Sequence, residues 1–560
     1  RAPLFRDESD ALGHTHEEAP FDDFARQRLL PRRLSTLGPG VAWLDVDRDG
    51  REDLFIGGGR GGRLAGFRNL GAGRFEPLEP AAPGAALRDD VTGLCGAPLG
   101  EGRVSLLYAL ASYESGQTNT PALWRMDFPV RAVGTDAPAH PPAGASPGAG
   151  EIAAVPLVMS ASAGPVALAD WDGDGDLDAF VGARVAPGRY PESGSSWLLR
   201  QQGGQFQPDP EASAALRGAG LVSGAVFSDL DGDGWPELVL ACEWGPVRVY
   251  RNERGRFREV TAELGMAGHT GWWQSVSAGD FDGDGRLDLV AGNWGENSLY
   301  QLAAPGPWLL YSGDFVGDEG VHLVEAWTEP ATSRVLPWRG MSALEKDLIW
   351  LRARFPTHAA FARATVPELL TGFAPRRAEA RQLASQVFLN RGARFEARPL
   401  PLEAQLAPAF GLAVADFDGD GREDLFVAQG FFGTRPEDGR LDAGRGLVLL
   451  GDGRGGFTAM PGAESGVVIY GEQRGTATAD YDGDGRPDLV VTQHGEATQL
   501  LRNAGARPGL RVRLAGPPGN PAGVGAVLRL TCGERAGPAR EVRAGGGYWS
   551  QDGFTQVLAV

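Results

Sequence analysis

The chain has 560 residues, of which 42% are hydrophobic and 22% are charged, and its formal net charge is −19. A chain of this length and hydrophobic content can bury a large core, which excludes an intrinsically disordered protein. The acidic balance is offset by no basic block, which excludes nucleic acid as an expected partner, and no apolar run reaches the length of a transmembrane helix.

The N-terminal segment contains three possible metal ligands, His14, His16 and Glu17. Imidazole and carboxylate groups at short range suit zinc or copper, and alternate residues of a strand share one face. The simpler interpretation is a polar segment without a metal. A chain that starts at Arg1 without Met is compatible with removal of an export signal, or with any other cut of a longer chain.

One acidic motif occurs six times between residues 45 and 488. Each copy has carboxylates at its first, third, fifth and ninth positions, and this crowding of like charges is unfavourable unless a cation lies among them. Hard oxygen ligands at loose geometry favour calcium over magnesium, with the backbone carbonyl of the seventh residue as a further ligand. The predicted metal ligands are Asp45, Asp47, Asp49, Arg51, Asp53; Asp170, Asp172, Asp174, Asp176, Asp178; Asp229, Asp231, Asp233, Trp235, Glu237; Asp280, Asp282, Asp284, Arg286, Asp288; Asp416, Asp418, Asp420, Arg422, Asp424; and Asp480, Asp482, Asp484, Arg486, Asp488.

The side chain of each seventh residue is expected to point away from its ion. A Gly at the sixth position of every copy allows the backbone to turn around the ion. An EF-hand would need a bidentate Glu at the twelfth position, but all six twelfth residues are apolar, and the flanking residues resemble strands. An acidic turn without an ion is the alternative for any single copy. Six calcium ions would reduce the net charge from −19 to −7.

The spacing of the loops predicts repeated units of about four short strands, because successive loops start 59, 51 and 64 residues apart. Two intervals are nearly double. The first contains four strands, at 91–99, 104–111, 122–128 and 152–158, and is interpreted as a repeat that has lost its metal. The second contains Asp314 and Asp318 as the remnant of a loop. Eight repeats are therefore predicted; seven is the alternative, because the 34 residues from Asp280 to Asp314 are short for a full repeat.

Two further features lie in the middle of the chain. Trp272 and Trp273 are interpreted as core between sheets, with sugar stacking as the functional alternative. Residues 341–384 have helix-like apolar spacing, which predicts a helical insertion that caps the sheets. Its functional alternative is a surface for partner binding or substrate gating.

The three cysteines are far apart in the sequence and form no metal or redox motif. Inert thiols are the simpler interpretation of Cys95, Cys242 and Cys532, with one disulfide as the alternative. Loops of this kind suit the millimolar calcium found outside cells, so we expect a secreted, extracellular or cell-envelope protein.

The six loops, with the Phe-Arg-Asn and Phe pattern of residues 67–75, resemble FG-GAP/VCBS-repeat β-propellers, the blade type also found in integrin α-subunits. The resemblance covers about residues 35–505 and implies calcium-binding loops. The tail, with Gly519-Asn520 and the run 545–551, resembles the ASPIC/UnbV module of cartilage acidic protein and its bacterial relatives. The usual Gly-Leu-Gly ending is absent from 556–560, so that module is expected to be truncated or to have a degenerate last strand.

The resulting prediction is an all-β protein with an eight-bladed propeller over 1–507, a helical insertion at about 341–384, and an ASPIC/UnbV-like β module over 508–560. Pro3–Arg6 is expected to supply the outer strand that is missing after Leu500–Asn503. The favoured function is a non-catalytic, calcium-stabilised scaffold that binds a protein or glycan. The alternatives are an accessory subunit of a larger surface complex and a polysaccharide-degrading propeller enzyme with its site in the central channel.

Overall fold

The computed structural model describes residues 2–78, 86–99, 102–129, 150–300, 306–533 and 535–560. The fold is all-β, with 40% strand and 7% helix, as predicted. Most strands belong to eight sheets of four or five strands each. No helix in the described ranges is long and apolar enough to cross a membrane.

The first half of the chain forms sheets 1 to 4, each built from consecutive strands. Strand β1 (Phe5–Asp7), a short 3-10 helix (Ser9–Ala11) and helix α1 (Asp23–Arg26) precede them. Sheet 1 contains β2 (Val41–Leu44), β3 (Asp53–Ile56), β4 (Ala65–Gly71) and β5 (Arg74–Leu78); sheet 2 contains β6 (Val91–Pro98), β7 (Arg103–Leu110), β8 (Leu123–Pro129) and β9 (Glu151–Ala154); sheet 3 contains β10 (Ala163–Ala169), β11 (Asp178–Ala183), β12 (Trp197–Gln202) and β13 (Gln205–Pro208); sheet 4 contains β14 (Leu221–Ser228), β15 (Glu237–Gly245), β16 (Arg248–Asn252), β17 (Phe257–Glu259) and, paired with β15, β18 (Gly271–Trp272).

The second half is interrupted by an inserted sheet. Sheet 5 starts with β19 (Ser275–Gly279) and β20 (Asp288–Gly292) and ends, after the insertion, with β25 (Gln386–Asn390) and β26 (Phe395–Pro399). The inserted sheet contains β21 (Trp308–Gly313), β22 (His322–Thr328), β23 (Val335–Pro337) and β24 (Arg376–Ala380), and its helices α2 (Met341–Leu344), α3 (Leu351–Arg354), α4 (His358–Phe361) and α5 (Val366–Leu369) lie between β23 and β24. Sheet 6 contains β27 (Ala409–Ala415), β28 (Asp424–Gln429), β29 (Leu447–Gly451) and β30 (Phe457–Met460), and helix α6 (Gly462–Ser465) precedes sheet 7, which contains β31 (Glu472–Ala479), β32 (Asp488–His494) and β33 (Gln499–Asn503). Two more 3-10 helices cover Ala212–Leu216 and Leu402–Gln405.

Burial decreases from the first strand to the last strand of a sheet. In sheet 3, every residue of β10 and β11 is buried, whereas β13 alternates between buried and exposed residues. The first strands β10 and β14 contain mostly small and β-branched residues, which pack closely on both faces. Each sheet therefore has its first strand inside and its fourth strand outside.

The first strands of sheets 1 to 7 pack side by side in chain order. β2 packs against β6, β6 against β10, β10 against β14, β14 against β19, β19 against β27, and β27 against β31. β31 packs in turn against β2, so the succession returns to its first member. β1 pairs antiparallel with β33, with Phe5 opposite Asn503, which confirms that the N-terminal segment supplies the outer strand of sheet 7.

The sheet around Asp314 is built from an insertion and does not pack into this succession of first strands. β20 pairs with β25, with Leu289 opposite Phe388, so sheet 5 is completed by strands that follow the insertion. In the sequence, the inserted sheet lies between β20 and β25, the second and third strands of sheet 5. The predicted four strands of the metal-free repeat are confirmed, since they form sheet 2.

The predicted helical insertion contains four short helices, but its last part is a strand, because 376–380 pairs with β21. Leu344, Leu348, Leu351 and Leu369 are each at most 1% exposed. These leucines pack against the inserted sheet in one apolar cluster. The insertion therefore uses its apolar face to cap its own sheet.

The tail contains β34 (Leu510–Val512), β35 (Val527–Leu528), β36 (Thr531–Cys532), β37 (Arg535–Ala536), β38 (Arg540–Glu541), β39 (Ser550–Gln551) and β40 (Gln556–Leu558). β34 pairs with β40, so the last strand of the tail is present despite its different ending. β35 pairs with β38 and β36 with β37, whereas β39 joins sheet 1 in parallel beside β2. The tail is thus partly built into the larger body.

Residues 544–552, here called the central segment, touch the first strand of every one of the seven sheets. Its Tyr548 and Trp549 are 0% and 3% exposed. A segment with neighbours on all seven first strands must lie at their common centre. The contacts are Ala544 with Leu168, Gly547 with Val276 and Leu412, Trp549 with Leu94 and Ser223, Ser550 with Val41, and Asp552 with Thr478.

A second segment, residues 26–37, crosses the sheets on the side opposite to the acidic loops. It is here called the N-terminal strap. Gln27 Nε2 donates to the carbonyl oxygens of Tyr190 and Val321, both at 2.8 Å. Arg474 Nε donates to the carbonyl oxygen of Thr36 at 2.8 Å. The strap thus joins sheets 3 and 7 and the inserted sheet.

Four of the five remaining residues singled out in the sequence, Trp272, Trp273, Cys95 and Cys242, are core residues. Trp272 and Trp273 are 3% and 0% exposed, so they are core and no platform for sugar stacking. Cys95 and Cys242 are buried and Cys532 is exposed, and all three are free thiols, so no disulfide forms between them.

Candidate metal sites in the six acidic loops

The six acidic loops share one backbone geometry at their first aspartate. Each loop joins the first and second strands of a sheet, and all six lie within the described ranges. In every loop, the Gly at the sixth position donates its N–H to Oδ2 of the first aspartate. The six bonds are Gly50 to Asp45 (3.0 Å), Gly175 to Asp170 (3.0 Å), Gly234 to Asp229 (3.0 Å), Gly285 to Asp280 (3.0 Å), Gly421 to Asp416 (2.8 Å) and Gly485 to Asp480 (2.9 Å).

These glycines are required by the backbone, since each has a φ between +82° and +92°. Residues with a Cβ rarely adopt this left-handed conformation. The turn brings the carboxylates of one loop together: single oxygens of Asp45, Asp47 and Asp53 lie within 4.8 Å of one another. The loop at residue 170 brings its carboxylates together in the same way.

The ninth-position carboxylate begins the second strand of its sheet and is buried in all six loops. In sheet 1, Asp53 Oδ2 accepts from the N–H of Val46 at 3.0 Å and its Oδ1 from the N–H of Asn69 at 2.8 Å. The equivalent bonds recur at Asp288, where the donors are Phe281 and Asn390. This carboxylate therefore ties the loop to the third strand of the sheet.

Burial is the main cause of a raised pKa at these carboxyl groups. It raises the pKa of Asp178, Glu237 and Asp424 to about 8 each and that of Asp288 to about 7, and the neighbouring loop aspartates add to the effect. Backbone N–H donors oppose the shift. Ionised side chains at these positions need a positive charge close by.

In five loops, an arginine that lies on the third strand of the sheet, or directly after it, pairs with the second aspartate and supplies part of the positive charge. The pairs are Arg68 with Asp47, Arg200 with Asp172, Arg251 with Asp231, Arg391 with Asp282, and Arg502 with Asp482. Sequence reasoning missed these partners, although four of the five arginines stand directly before the Asn or Gln of the third strand, which is a readable signal.

The seventh residues only partly follow the prediction. Their side chains were expected to point away, but the guanidinium groups of Arg51, Arg286, Arg422 and Arg486 fold back and pair with the third aspartate of the same loop. A flexible arginine side chain can reach a carboxylate two residues away, although an exposed ion pair of this kind contributes at most about 1 kcal/mol.

The loops keep free oxygen ligands for a cation. Five buried carboxylate oxygens have no hydrogen-bond partner among the described residues: Asp178 Oδ2, Glu237 Oε1, Asp280 Oδ1, Asp480 Oδ1 and Asp484 Oδ1. A buried carboxylate oxygen without a partner is costly. All-oxygen clusters of this kind fit calcium, which takes six to eight oxygen ligands. The residues of these loops therefore fit the predicted ion.

The tail covers several of the loops. Arg513 Nη2 lies 2.6 Å from Asp45 Oδ2, and Arg511 Nε lies 2.6 Å from Asp480 Oδ2. The N–H of Ala539 donates to Asp280 Oδ2 at 2.9 Å. These contacts put the tail over the same face that the acidic loops form.

The predicted transition-metal ligands of the N-terminal segment each have different surroundings. His14 Nδ1 bonds to the hydroxyl of Thr498 at 2.9 Å, and Glu17 is exposed. His16 is buried and packs against His494, with the ring centroids 5.4 Å apart. The neighbouring Glu18, which the sequence did not single out, faces these two rings.

Comparison with protein families identifies the loops. Residues 170–240 and 229–291 match the profile described as FG-GAP-like repeat, and residues 409–449 and 474–506 match FG-GAP repeat. These stretches contain five of the six acidic loops. The chain therefore contains FG-GAP repeats over these residues. Comparison with curated proteins gives no match.

Several solved structures are similar to the chain at low identity. They include the biofilm matrix protein Bap1 of V. cholerae (12% identity, 90% of this chain and 91% of that chain, TM-score 0.34) and the rhamnogalacturonan lyase PL11 of Bacillus licheniformis (12%, 84% and 72%, 0.36). Sqt1 of Saccharomyces cerevisiae is another (11%, 88% and 99%, 0.38). Similarity at this level assigns no function to this chain.

Proposed function

We propose that the protein is a calcium-stabilised, seven-bladed β-propeller that acts as a non-catalytic binding scaffold. The packing of seven first strands, each against the next and the last against the first, supports seven blades over the eight counted in the sequence. The pairing of β1 with β33 supports closure of the last blade by the N-terminal strand. Sheets 1 to 7 are the blades, and the inserted sheet is an excursion from blade 5.

Calcium is proposed as the structural cofactor, with about six ions bound. The observation that carries this proposal is the repeated geometry of six loops, in which the same glycine amide holds the same aspartate oxygen each time. An ion at each loop would neutralise carboxylates that burial otherwise keeps protonated. At free calcium ten times the dissociation constant, each site would add about 1.4 kcal/mol to the free energy of unfolding.

The tail is proposed to be an ASPIC/UnbV-like module whose glycine-rich run fills the centre of the propeller. Tyr548 and Trp549 occupy the place where an enzyme with a site in the central channel would bind its substrate. The packing therefore favours a scaffold over that alternative. The accessory-subunit alternative needs an apolar docking patch, but among the described residues the exposed large apolar side chains of the insertion and tail, such as Ile349 and Leu510, are scattered.

We propose that the partner is a protein or a glycan at the cell surface or in the cell envelope. A calcium requirement suits a compartment with millimolar calcium, which is the support for a secreted, extracellular or envelope location. Few large apolar side chains are exposed among the described residues, which favours a partner that binds largely through polar contacts.

The test is a count of bound calcium together with thermal melts in calcium, magnesium and chelator. We expect about six ions per chain and a large rise in Tm that calcium produces and magnesium does not. Glycan-array and pull-down experiments then use the calcium-loaded form. A Tm that does not respond to chelation would mean that the loops are ion-free turns, and the proposed function would fail with them.

A further inference from the structure

Two neighbouring cavities lie along the N-terminal strap, on the side of the sheets opposite to the acidic loops. The first has a volume of about 390 Å³, and its wall includes His16, Thr36 and His494. The second has a volume of about 680 Å³ and lies between the strap, the insertion and the loop that follows β28. Phe21 and Arg33 line both cavities, so the two adjoin each other. Together they are here called the strap groove.

The wall of the first cavity contains buried polar atoms without a partner. His16 Nε2, Thr36 Oγ1 and His494 Nδ1 have no hydrogen-bond partner among the described residues, and His16 and Thr36 are only 3% and 8% exposed. Burial lowers the pKa of both histidines to about 3, so both rings are neutral. His16 Nδ1 accepts the N–H of Gly495 at 3.0 Å, so its proton lies on Nε2. Buried polar atoms without a partner are costly, so this wall favours a ligand that both donates and accepts hydrogen bonds.

The strap groove is also lined by cations that have no counterion. Arg28, Arg33 and Lys346 form no ion pair within the described part of the chain. A fourth cation, Arg435, pairs with Glu437 at 2.8 Å. The chain as a whole has a net charge of −19, so unpaired cations along one groove mark a local reversal of its charge. Such a groove attracts anions.

The acidic side chains of the groove do not cancel this charge. Burial and the neighbouring Asp90 raise the pKa of Glu18 to about 11, so its carboxyl keeps its proton at neutral pH. The ionised carboxylates of the wall are Glu17, Asp22 and Glu437, and all three are exposed to water. Four cations thus face three screened anions, and the strap groove keeps a positive charge.

The groups along the groove favour an acidic sugar chain. Sugar hydroxyls donate and accept at once, which matches the neutral imidazole and hydroxyl groups of the first cavity, and carboxylates pair with the guanidinium of Arg33. The half-buried ring of Phe21, where the cavities meet, offers an apolar face to the C–H groups of a sugar. The side chains of an acidic peptide would match the cations but would bring no hydroxyl to the first cavity.

We propose that the strap groove binds a glycan whose sugars carry carboxylates. One sugar occupies the first cavity with its carboxylate on Arg33, and a further carboxylate lies near Arg28 and Lys346. This inference rests on the proposed function, because it takes the glycan as the partner class and gives it a site. The calcium loops are on the opposite side and take no part in the binding.

The test measures the fluorescence anisotropy of two labelled tetrasaccharides, one of galacturonate and one of alternating glucuronate and N-acetylglucosamine, with the full chain in excess calcium. We expect saturable binding of at least one of them at one per chain, weakened by added salt. The methyl ester of the bound tetrasaccharide keeps the hydroxyls without the charge and should bind at least about tenfold more weakly. A peptide of four glutamates should also bind more weakly.

Two variants test the two kinds of contact. Arg33→Gln is expected to weaken tetrasaccharide binding at least about tenfold, since it removes an ion pair, and Thr36→Val about three- to tenfold, since it removes a neutral hydrogen bond. Thr36→Val should leave Tm unchanged or higher, because the Thr36 hydroxyl has no partner among the described residues. Arg256→Gln, an exposed position outside the groove, is the control.

Lys346 gives an independent measurement, because it is the only lysine of the chain. Its acetylation is followed by mass spectrometry of the peptide that contains it. The bound tetrasaccharide is expected to slow this acetylation in proportion to the fraction of chains occupied.

The proposal is overturned if neither tetrasaccharide binds, if the glutamate peptide binds as tightly, or if Arg33→Gln folds and binds as tightly as the wild type. Thermal melts show whether each variant folds. Melts in calcium and in chelator also test the scaffold separately. A calcium-dependent Tm without tetrasaccharide binding would reject this inference alone and leave the calcium-stabilised scaffold in place.

Discussion

The hydroxyl of Tyr548 donates a hydrogen bond of 2.8 Å to the carbonyl oxygen of Leu37. This bond joins the central segment to the N-terminal strap inside the protein, and Tyr548 is fully buried. The two ends of the chain thus meet between the seven sheets. Leu37 is itself only 5% exposed.

Tyr548→Phe tests this junction. The variant leaves the Leu37 carbonyl without its donor, and a buried unsatisfied carbonyl costs about 1–3 kcal/mol. We expect the free energy of unfolding, measured in urea, to fall by that amount, because phenylalanine keeps the packing of the ring and removes only the hydroxyl. Tyr470→Phe is the matched control, because Tyr470 is 69% exposed and should lose nothing measurable.

The close fit of the central segment is tested at Gly545. A Cβ at this position would lie 2.6 Å from the carbonyl oxygen of Val166, and φ is +98°. We expect Gly545→Ala to lower the free energy of unfolding by more than about 2 kcal/mol, through strain and overpacking together. Gly525→Ala separates the two effects, since Gly525 has φ +88° and open space around it. Equal losses in both variants would contradict the close fit.

Asp416→Asn tests one calcium loop in isolation. Asp416 begins the loop whose second aspartate, Asp418, has no arginine ion pair in the described part of the chain, unlike the other five loops. We expect one fewer calcium ion per chain and the loss of about 1.4 kcal/mol of calcium-dependent stability at tenfold excess over the dissociation constant. The exposed Asp442→Asn is the control. An unchanged calcium count would remove this loop from the proposed set.

Arg513→Ala tests the contact between the tail and the first loop. Arg513 lies 2.6 Å from Asp45, and its charge competes with a cation for that carboxylate. A partly exposed ion pair contributes at most about 1 kcal/mol, so we expect calcium affinity at this loop to rise by up to about fivefold. Chelator competition measures it, with the exposed Arg256→Ala as a control. Weaker calcium binding in Arg513→Ala would show that the arginine helps to form the site.

The raised pKa values of the ninth-position carboxyls predict a pH dependence. Asp178 and Asp424 have a pKa of about 8 in the folded chain, above the ordinary value of 3.8. The folded state then binds more protons than the unfolded state between those values, so stability falls as pH rises from about 4 to 8. In chelator, we expect Tm to decrease from pH 5 to 8.5.

Calcium should remove most of that decrease, since it favours the ionised carboxylates. Asp178→Asn should make the slope in chelator shallower, because an amide does not titrate. A Tm in chelator that rises with pH over this range would contradict the assignment of the buried carboxyls.

Local chemistry made most of the sheets and loops predictable. The Asp spacing located six turns, and the apolar runs beside them located strands such as Val41–Leu44 and Asp53–Ile56. The number of sheets in the succession was not predictable, because it depends on the pairing of Leu289 with Phe388. These two residues are separated in the sequence by an insertion that forms a sheet of its own. Nothing in the sequence next to Leu289 encodes that partner.

The candidate sites also have a part that the sequence predicted and a part that it did not. The carboxylates of each loop lie within nine residues, so their meeting was predicted, whereas Arg391 and its partner Asp282 are 109 residues apart in the sequence. The glycine-rich run at 545–547 has no periodicity that would predict burial. Its place at the centre follows from backbone fit to seven strands, which only the assembled fold reveals.

The contact of the central segment with all seven first strands also affects how the protein is made. Val41 pairs with Ser550, so the first strand of sheet 1 completes its pairing only after a residue about 500 positions later has been synthesised. At 5–20 residues per second, that partner leaves the ribosome about 25–100 s later. Until then, the first strands lack the segment that covers them in the folded chain. Chains that lose their last twenty residues should therefore be captured by chaperones and degraded, although every acidic loop is intact.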